Sequence, residues 1–260
     1  MDARPVGMFD SGVGGLSVLS HFQRMAPSER VIYFADTSYF PYGPRPAAEV
    51  RKRAFSIVGR LVRSDVKMVV VACNTASAAA IADLREAFAI PFVGMVPGVK
   101  PGALASRSGR VVILATPGTF DGALFSRVVE EFGNGVQIVT VPGSGLAELV
   151  EAGHVDCECA RKAVREVLAA EVAGGADTVV LGCTHYHFLG ATISAEFPGV
   201  TLVDTSEPVA RRAVQVLRDM DLGAPVGVVG HLDVIVSGDR DAFRSTAERL
   251  GVKLTEKELA

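Results

Sequence analysis

Two cysteines stand in matched settings in this chain, and acid–base chemistry at carbon is the use such a pair suggests. KMVVVACNTAS (67–77) and DTVVLGCTHYH (177–187) share one design: a polar start, a run of valines and leucines, a small residue, then cysteine. Cys73 and Cys183 therefore fall where hydrophobic strands run into turns. Asn74 and Thr75 are natural N-capping residues for the helix predicted after Cys73. A helix N-terminus draws a thiol pKa towards neutrality. One such cysteine alone reads better as a small buried hydrophobe; the repetition shifts the weight to function. Inverting a stereocentre at Cα requires one group to remove a proton from one face and another to deliver one to the opposite face. A thiolate and a thiol do this, exchanging protonation states at each turnover, because a thiol pKa of about 8.5 lies near working pH. A nucleophilic cysteine acting with His185 is the alternative reading. Neither ACNTA nor GCTHY supplies a second close cysteine for zinc.

Several further residues could bind a substrate. Phe9–Leu16 reads FDSGVGGL, so Asp10 and Ser11 precede glycines at 12, 14 and 15 that allow close backbone approach and could present amides to a carboxylate. The G-x-G-x-x-G spacing is absent, and so is Gly-Lys-Ser/Thr, which excludes both nucleotide fingerprints. Tyr42 and Gly43 lie in the proline-punctuated turn FPYGP. Thr116 and Thr119, after VVILA, offer hydroxyls and amides at a second anion-binding turn, or simple capping. Thr184 and His185 follow Cys183, and His185 could tune that thiol or meet a carboxylate. Cys157 and Cys159 form a C-x-C beside His154 at what reads as an exposed helix start; with no fourth ligand in reach they stay outside the site, and no metal is expected.

The elements that must hold these residues alternate. Predicted strands are Val6–Phe9, Val31–Ala35, Met68–Ala72, Phe92–Gly94, Val111–Ala115, Val136–Val141, Thr178–Leu181 and Thr201–Val203. Most are continuous apolar runs, as in parallel strands covered on both faces. Between them lie amphipathic stretches such as Val50, Ala54, Ile57, Val58 and Leu61 at helical spacing, with Arg51–Arg53 on a solvated face. An α/β fold of two pseudo-symmetric domains with mostly parallel sheets follows, with the site in the cleft between them. The expected limits are 1–97 plus 208–260 for the first domain and 98–207 for the second.

A net charge of −3 gives no electrostatic footprint for nucleic acid. No apolar run approaches the roughly 18 residues that cross a bilayer, and MDARPVGMFD does not read as a signal peptide. A cytoplasmic protein is expected, with its four cysteines free rather than forming a disulfide framework.

FDSGVGGL (9–16), PYG (41–43), ACNTAS (72–77), GCTHY (182–186) and the late SGDRDAF (237–243), in this order, resemble bacterial glutamate racemase over nearly the whole chain. The resemblance implies a cofactor-independent isomerase that makes D-glutamate from L-glutamate for peptidoglycan. In it Cys73 and Cys183 match the catalytic pair, Cys73 serving D-glutamate with Asp10 and Cys183 serving L-glutamate with His185. Asp10, Ser11, Tyr42, Gly43, Asn74, Thr75, Thr116, Thr119, Thr184 and His185 match substrate-binding or thiol-assisting positions, and Glu151 a further assisting acid. The sequence departs from the family pattern at His187, where proline is usual, and before Glu151, where a Cys-Pro dipeptide is missing. Family members are often homodimers, though no residue pattern here defines an interface. An aspartate racemase of the same superfamily is the nearer rival, and a DNA gyrase-binding inhibitor the rival of another class.

Overall fold

The computed structural model describes residues 1–260 apart from 122, 134, 226, 228 and 260, and apart from the side chains of 123 and 124. The chain runs β1 (Val6–Asp10), α1 (Leu16–Met25), β2 (Val31–Ala35), α2 (Ala47–Arg63), β3 (Met68–Val71), α3 (Asn74–Ala87) and β4 (Phe92–Gly94). It continues through α4 (Val99–Ala105), β5 (Arg110–Ala115), α5 (Pro117–Phe120), α6 (Ala123–Phe132), β6 (Gln137–Pro142), α7 (Leu146–Glu151) and α8 (Glu158–Ala173). Then come β7 (Thr178–Gly182), α9 (Gly190–Glu196), β8 (Thr201–Val203), α10 (Ser206–Asp219), β9 (Leu232–Val236) and α11 (Arg240–Arg249).

Every strand pairing is parallel. One sheet has the order β4-β3-β1-β2-β9 and the other β6-β5-β7-β8. Read from the opposite edge, the second sheet is β8-β7-β5-β6, which repeats β4-β3-β1-β2 with each strand advanced by four. The repetition legible in the two cysteine segments is thus a repetition of topology: β3 lies beside central β1, and β7 beside central β5. The central strands are fully buried, VGMFD in β1 and TVVLG in β7, because helices cover both faces.

The eight expected strands are all present, with ends moved by a residue or so. β9, on the edge beside β2, is an addition. On α2 the apolar stripe Val50, Ala54, Ile57, Val58 and Leu61 is buried as its period requires. Arg53 departs from the solvated face expected for Arg51–Arg53. Its guanidinium turns inward and holds both oxygens of buried Asp36 at 2.6 Å. Among the described residues, no helix is long and apolar enough to cross a membrane.

Candidate active site

The carboxyl ends of β1, β3, β5 and β7 meet across a cleft of about 220 Å³ that is lined by both Cys73 and Cys183. Both thiols are free, with 5% and 7% of their surface exposed. Of the residues singled out in the sequence, Ser11, Tyr42, Gly43, Asn74, Thr75, Thr116, Thr184 and His185 also line it. Thr119 is buried just behind, its hydroxyl 3.0 Å from that of Thr116, which in turn lies 2.8 Å from the Thr75 hydroxyl. These three hydroxyls bridge the start of α3 and the turn before α5, so they join the two halves of the cleft. The Gly118 amide donates to the Gly43 carbonyl at 3.1 Å, fastening the Tyr42 turn to the opposite wall.

Cys73 is itself the N-cap of α3, and the Ala76 amide donates to its sulfur at 3.5 Å. Asn74 and Thr75, expected to cap, are the first residues of the helix instead. Asn74 is buried, and neither atom of its amide finds a partner in the protein, so both are free for a ligand. The helix start does not lower the Cys73 pKa as expected. Burial pushes the thiol well up, the neighbouring Asp10 carboxylate adds to the rise, and the Ala76 amide opposes it only in part.

Asp10 ends β1 with no surface exposed. The Thr184 hydroxyl donates to its Oδ2 at 2.9 Å, and the Ser11 amide and hydroxyl donate to Oδ1. Burial raises its pKa, against the pull of His185 and of these donors. Cys73 therefore sits beside an acid that favours holding a proton.

The surroundings of Cys183 are opposite in sign. His185 Nδ1 lies 3.9 Å from its sulfur, and Nε2 lies 2.7 Å from Glu151 Oε1. Burial alone would lower the His185 pKa. The hydrogen bonds to Cys183 and Glu151 outweigh it and hold the imidazolium well above its ordinary range. Glu151, weakly signalled in the sequence, thus stands behind His185 despite the missing Cys-Pro.

Gly12 and Gly14 of FDSGVGGL lie against side chains that arrive from the other sheet. A Cβ on Gly12 would fall 1.8 Å from Glu151 Oε1, and one on Gly14 would fall 2.4 Å from His185 Nδ1. The Val13 amide, expected to be available for a carboxylate, donates to Glu151 at 2.7 Å. These glycines let the β1–α1 turn close on the loops of the other sheet.

Other residues escaped the sequence reading. The Tyr42 hydroxyl donates to Asp36 Oδ2 at 2.5 Å, so the Arg53–Asp36 pair anchors the Tyr42 turn from below. The Tyr186 hydroxyl donates to the Gly143 carbonyl at 2.8 Å and shapes the far wall. His187 lies outside the cleft, with Nδ1 3.0 Å from Asp204 Oδ1. Burial works against the Asp204 charge, yet His187 and Ser206 hold its carboxyl well below the usual range.

Among the described residues, no lysine or arginine lines the cleft. An anionic substrate would be held by amides and hydroxyls, between two thiols in unlike settings. Among the described residues, no cluster of three or more His, Cys, Asp or Glu is placed to hold a metal. Cys157 and Cys159, expected to be free, are joined in a disulfide with Cα atoms 5.3 Å apart. The first turn of α8 brings two cysteines separated by one residue within bonding reach.

A fold of two like parallel sheets, with free thiols at the ends of equivalent strands facing one cleft, is that of a racemase. The chain belongs to the Asp/Glu/hydantoin racemase family, whose profile matches residues 14–213. Its relatives include glutamate racemase of Herpetosiphon aurantiacus, 42% identical over 97% of this chain and 100% of the relative. Glutamate racemase from Thermus thermophilus, solved with β-chloro-D-alanine, superposes with a TM-score of 0.84 at 36% identity, covering 100% of both chains. The Escherichia coli glutamate racemase, solved with L-glutamate and the activator UDP-MurNAc-Ala, gives 0.83 at 32% identity over 96% of each chain.

Proposed function

We propose that this chain is a glutamate racemase, interconverting L- and D-glutamate by proton transfer at Cα without a cofactor and so supplying D-glutamate for peptidoglycan. The observation that carries the reading is the pair of free, buried thiols on one cleft, with Asp10 near one and His185 beside the other.

Glutamate lies in the cleft with its carboxylates against Ser11, Gly43, Asn74, Thr75 and Thr184. One of Cys73 and Cys183, as thiolate, removes the Cα proton, and the other, as thiol, returns one to the opposite face. Asp10 assists at Cys73, where its raised pKa lets it hold a proton near the sulfur. His185, kept cationic by Glu151, assists at Cys183. The carbanion is the costly species. Fixed donors around the α-carboxylate and exclusion of water stabilise it. Thr116 and Thr119 brace Thr75 across the cleft.

The lobes are taken as 1–97 with 208–260, and 98–207. Packing of α4 on β5 and β7, and of α10 on α1, supports crossings near these limits. The reading further carries a cytoplasmic enzyme and, from the family resemblance, a homodimer.

The test is solvent deuterium incorporation at Cα, followed by NMR in D₂O with either enantiomer of glutamate and no added cofactor. Exchange with loss of optical activity is the expected outcome. Exchange with aspartate and none with glutamate would move the assignment to an aspartate racemase. No exchange with either would overturn the catalytic reading.

A further inference from the structure

The disulfide between Cys157 and Cys159 lies outside the cleft, and the racemisation chemistry does not use it. A bridge spanning two positions of sequence contributes less to folding than one closing a long loop. On the chain-entropy account its three-residue loop gives roughly half the stabilisation of a fifteen-residue one. Its position is also unlike that of a buried structural staple.

The two sulfurs are not equivalent. Cys157 is the N-cap of the sixteen-residue α8, half-buried and packed against the main core. The Ala160 amide donates to its sulfur at 3.2 Å. Cys159, in the first turn of α8, is exposed. An approaching thiolate therefore reaches Cys159, while the sulfur that would carry the departing charge is Cys157, already at the positive end of a helix with a hydrogen-bond donor in place. A lower leaving-group pKa speeds exchange, and a helix N-terminus lowers it.

We propose that Cys157–Cys159 is a reversible thiol–disulfide exchange site for low-molecular-weight thiols, with Cys159 the attacked sulfur and Cys157 the leaving one. In the first step a glutathione thiolate bonds to Cys159 Sγ as the Cys157–Cys159 bond breaks, and Cys157 departs as a thiolate on the α8 amides. A second glutathione thiolate attacks the glutathione sulfur of that mixed disulfide. It releases Cys159 as a thiolate and leaves as oxidised glutathione. Two glutathiones are oxidised and one protein disulfide is reduced, so two electrons pass. In the reverse direction Cys157 attacks Cys159 within the mixed disulfide and expels glutathione.

The experiment uses the full chain and peptide mass spectrometry. Protein handled in air and alkylated in denaturant should carry label on Cys73 and Cys183 only, with the 157–159 peptide two hydrogen masses light. Reduction should bring label to all four cysteines. Across graded mixtures of reduced and oxidised glutathione, the peptide should pass reversibly between the two states. Acid quenching at low conversion should place the glutathione adduct on Cys159. Full labelling of all four cysteines at every mixture overturns the proposal, and so does an adduct found first on Cys157. The double variant Cys157→Ser/Cys159→Ser should show two thiols under all conditions, with turnover within about twofold of the parent, because neither residue lines the cleft. A larger fall in turnover would show that the bridge acts on the racemase site and is not an independent one.

Discussion

His185 Nε2 lies 2.7 Å from Glu151 Oε1, and that same oxygen accepts the Val13 amide at 2.7 Å. One carboxylate from α7 therefore fixes the histidine beside Cys183 and ties the β1–α1 turn to it. The unlike charge states on the two sides of the cleft depend on this contact, because burial by itself would discharge His185.

Glu151→Gln keeps the shape and removes the charge. One of the two partners that outweigh burial is weakened, so the His185 pKa falls. The alkaline limb of kcat should move to lower pH, with kcat at alkaline pH reduced. Stability follows the same sign. A raised folded-state pKa on His185 stabilises the protein below its unfolded value of about 6.5, and that stabilisation is lost as pH rises through the folded value. Tm measured across this window should fall in the parent and fall less in the variant. An unmoved alkaline limb would remove His185 protonation from the mechanism.

Cys73→Ala and Cys183→Ala should each lower racemisation by about 10²–10⁴-fold or more, the scale of losing one positioned acid or base. Both buried sites accept a small apolar side chain, so Tm should change little. Polarimetry from each enantiomer, with circular dichroism to verify folding, makes the measurement. Near-parent turnover in either folded variant would sink the two-base scheme.

Asp10 makes a prediction in which stability and activity part. Its carboxyl is fully buried and its pKa raised by burial, so ionisation in the folded state is disfavoured. A raised folded-state pKa on an acid means that stability declines as pH climbs from the unfolded value of about 3.9 through the folded one. Asp10→Asn removes that decline while retaining an acceptor for Thr184. At neutral pH its Tm should equal or exceed the parent's, with turnover down about 10²-fold, the low end for a proton-transfer group. A fall in Tm together with preserved turnover would contradict both parts.

What the sequence made legible was local. Continuous apolar runs marked eight buried parallel strands, and the repeated strand–cysteine–hydroxyl segments marked both thiols with Thr75 and Thr184. β9 was not legible because Asp233 interrupts LDVIV and the strand is only partly buried at a sheet edge. Its pairing with β2 is a contact far along the chain. The Cys73 pKa turns on the same kind of contact. A helix start is visible in sequence, whereas the burial and the Asp10 charge that outweigh it come from folding. The glycine run marks a place of close approach in the sequence without naming what approaches. Glu151, His185 and Thr184 arrive from the other sheet, and nothing near residue 14 announces them.

Gly14 tests that close approach. A Cβ there would stand 2.4 Å from His185 Nδ1 and 2.6 Å from Thr184 Oγ1, closer than real Cβ contacts allow. Both neighbours are buried and hydrogen-bonded, so neither can swing away. Gly14→Ala must displace the ring from Cys183 or open the β1–α1 turn. Overpacking of this kind costs about 1–3 kcal/mol, read as a lower Tm, and turnover should fall by more than the stability loss explains, because the displaced atoms belong to the cleft. Gly59→Ala supplies the contrast. That glycine lies within α2, where an added Cβ meets only the end of Arg63 at 3.7 Å. It should raise stability by roughly 0.5–1 kcal/mol and leave turnover unchanged. If Gly14→Ala matched the parent in both Tm and turnover, the two loops would not be pressed together as described, and the closeness of Thr184 and His185 to the β1–α1 turn would carry no part of the catalytic geometry.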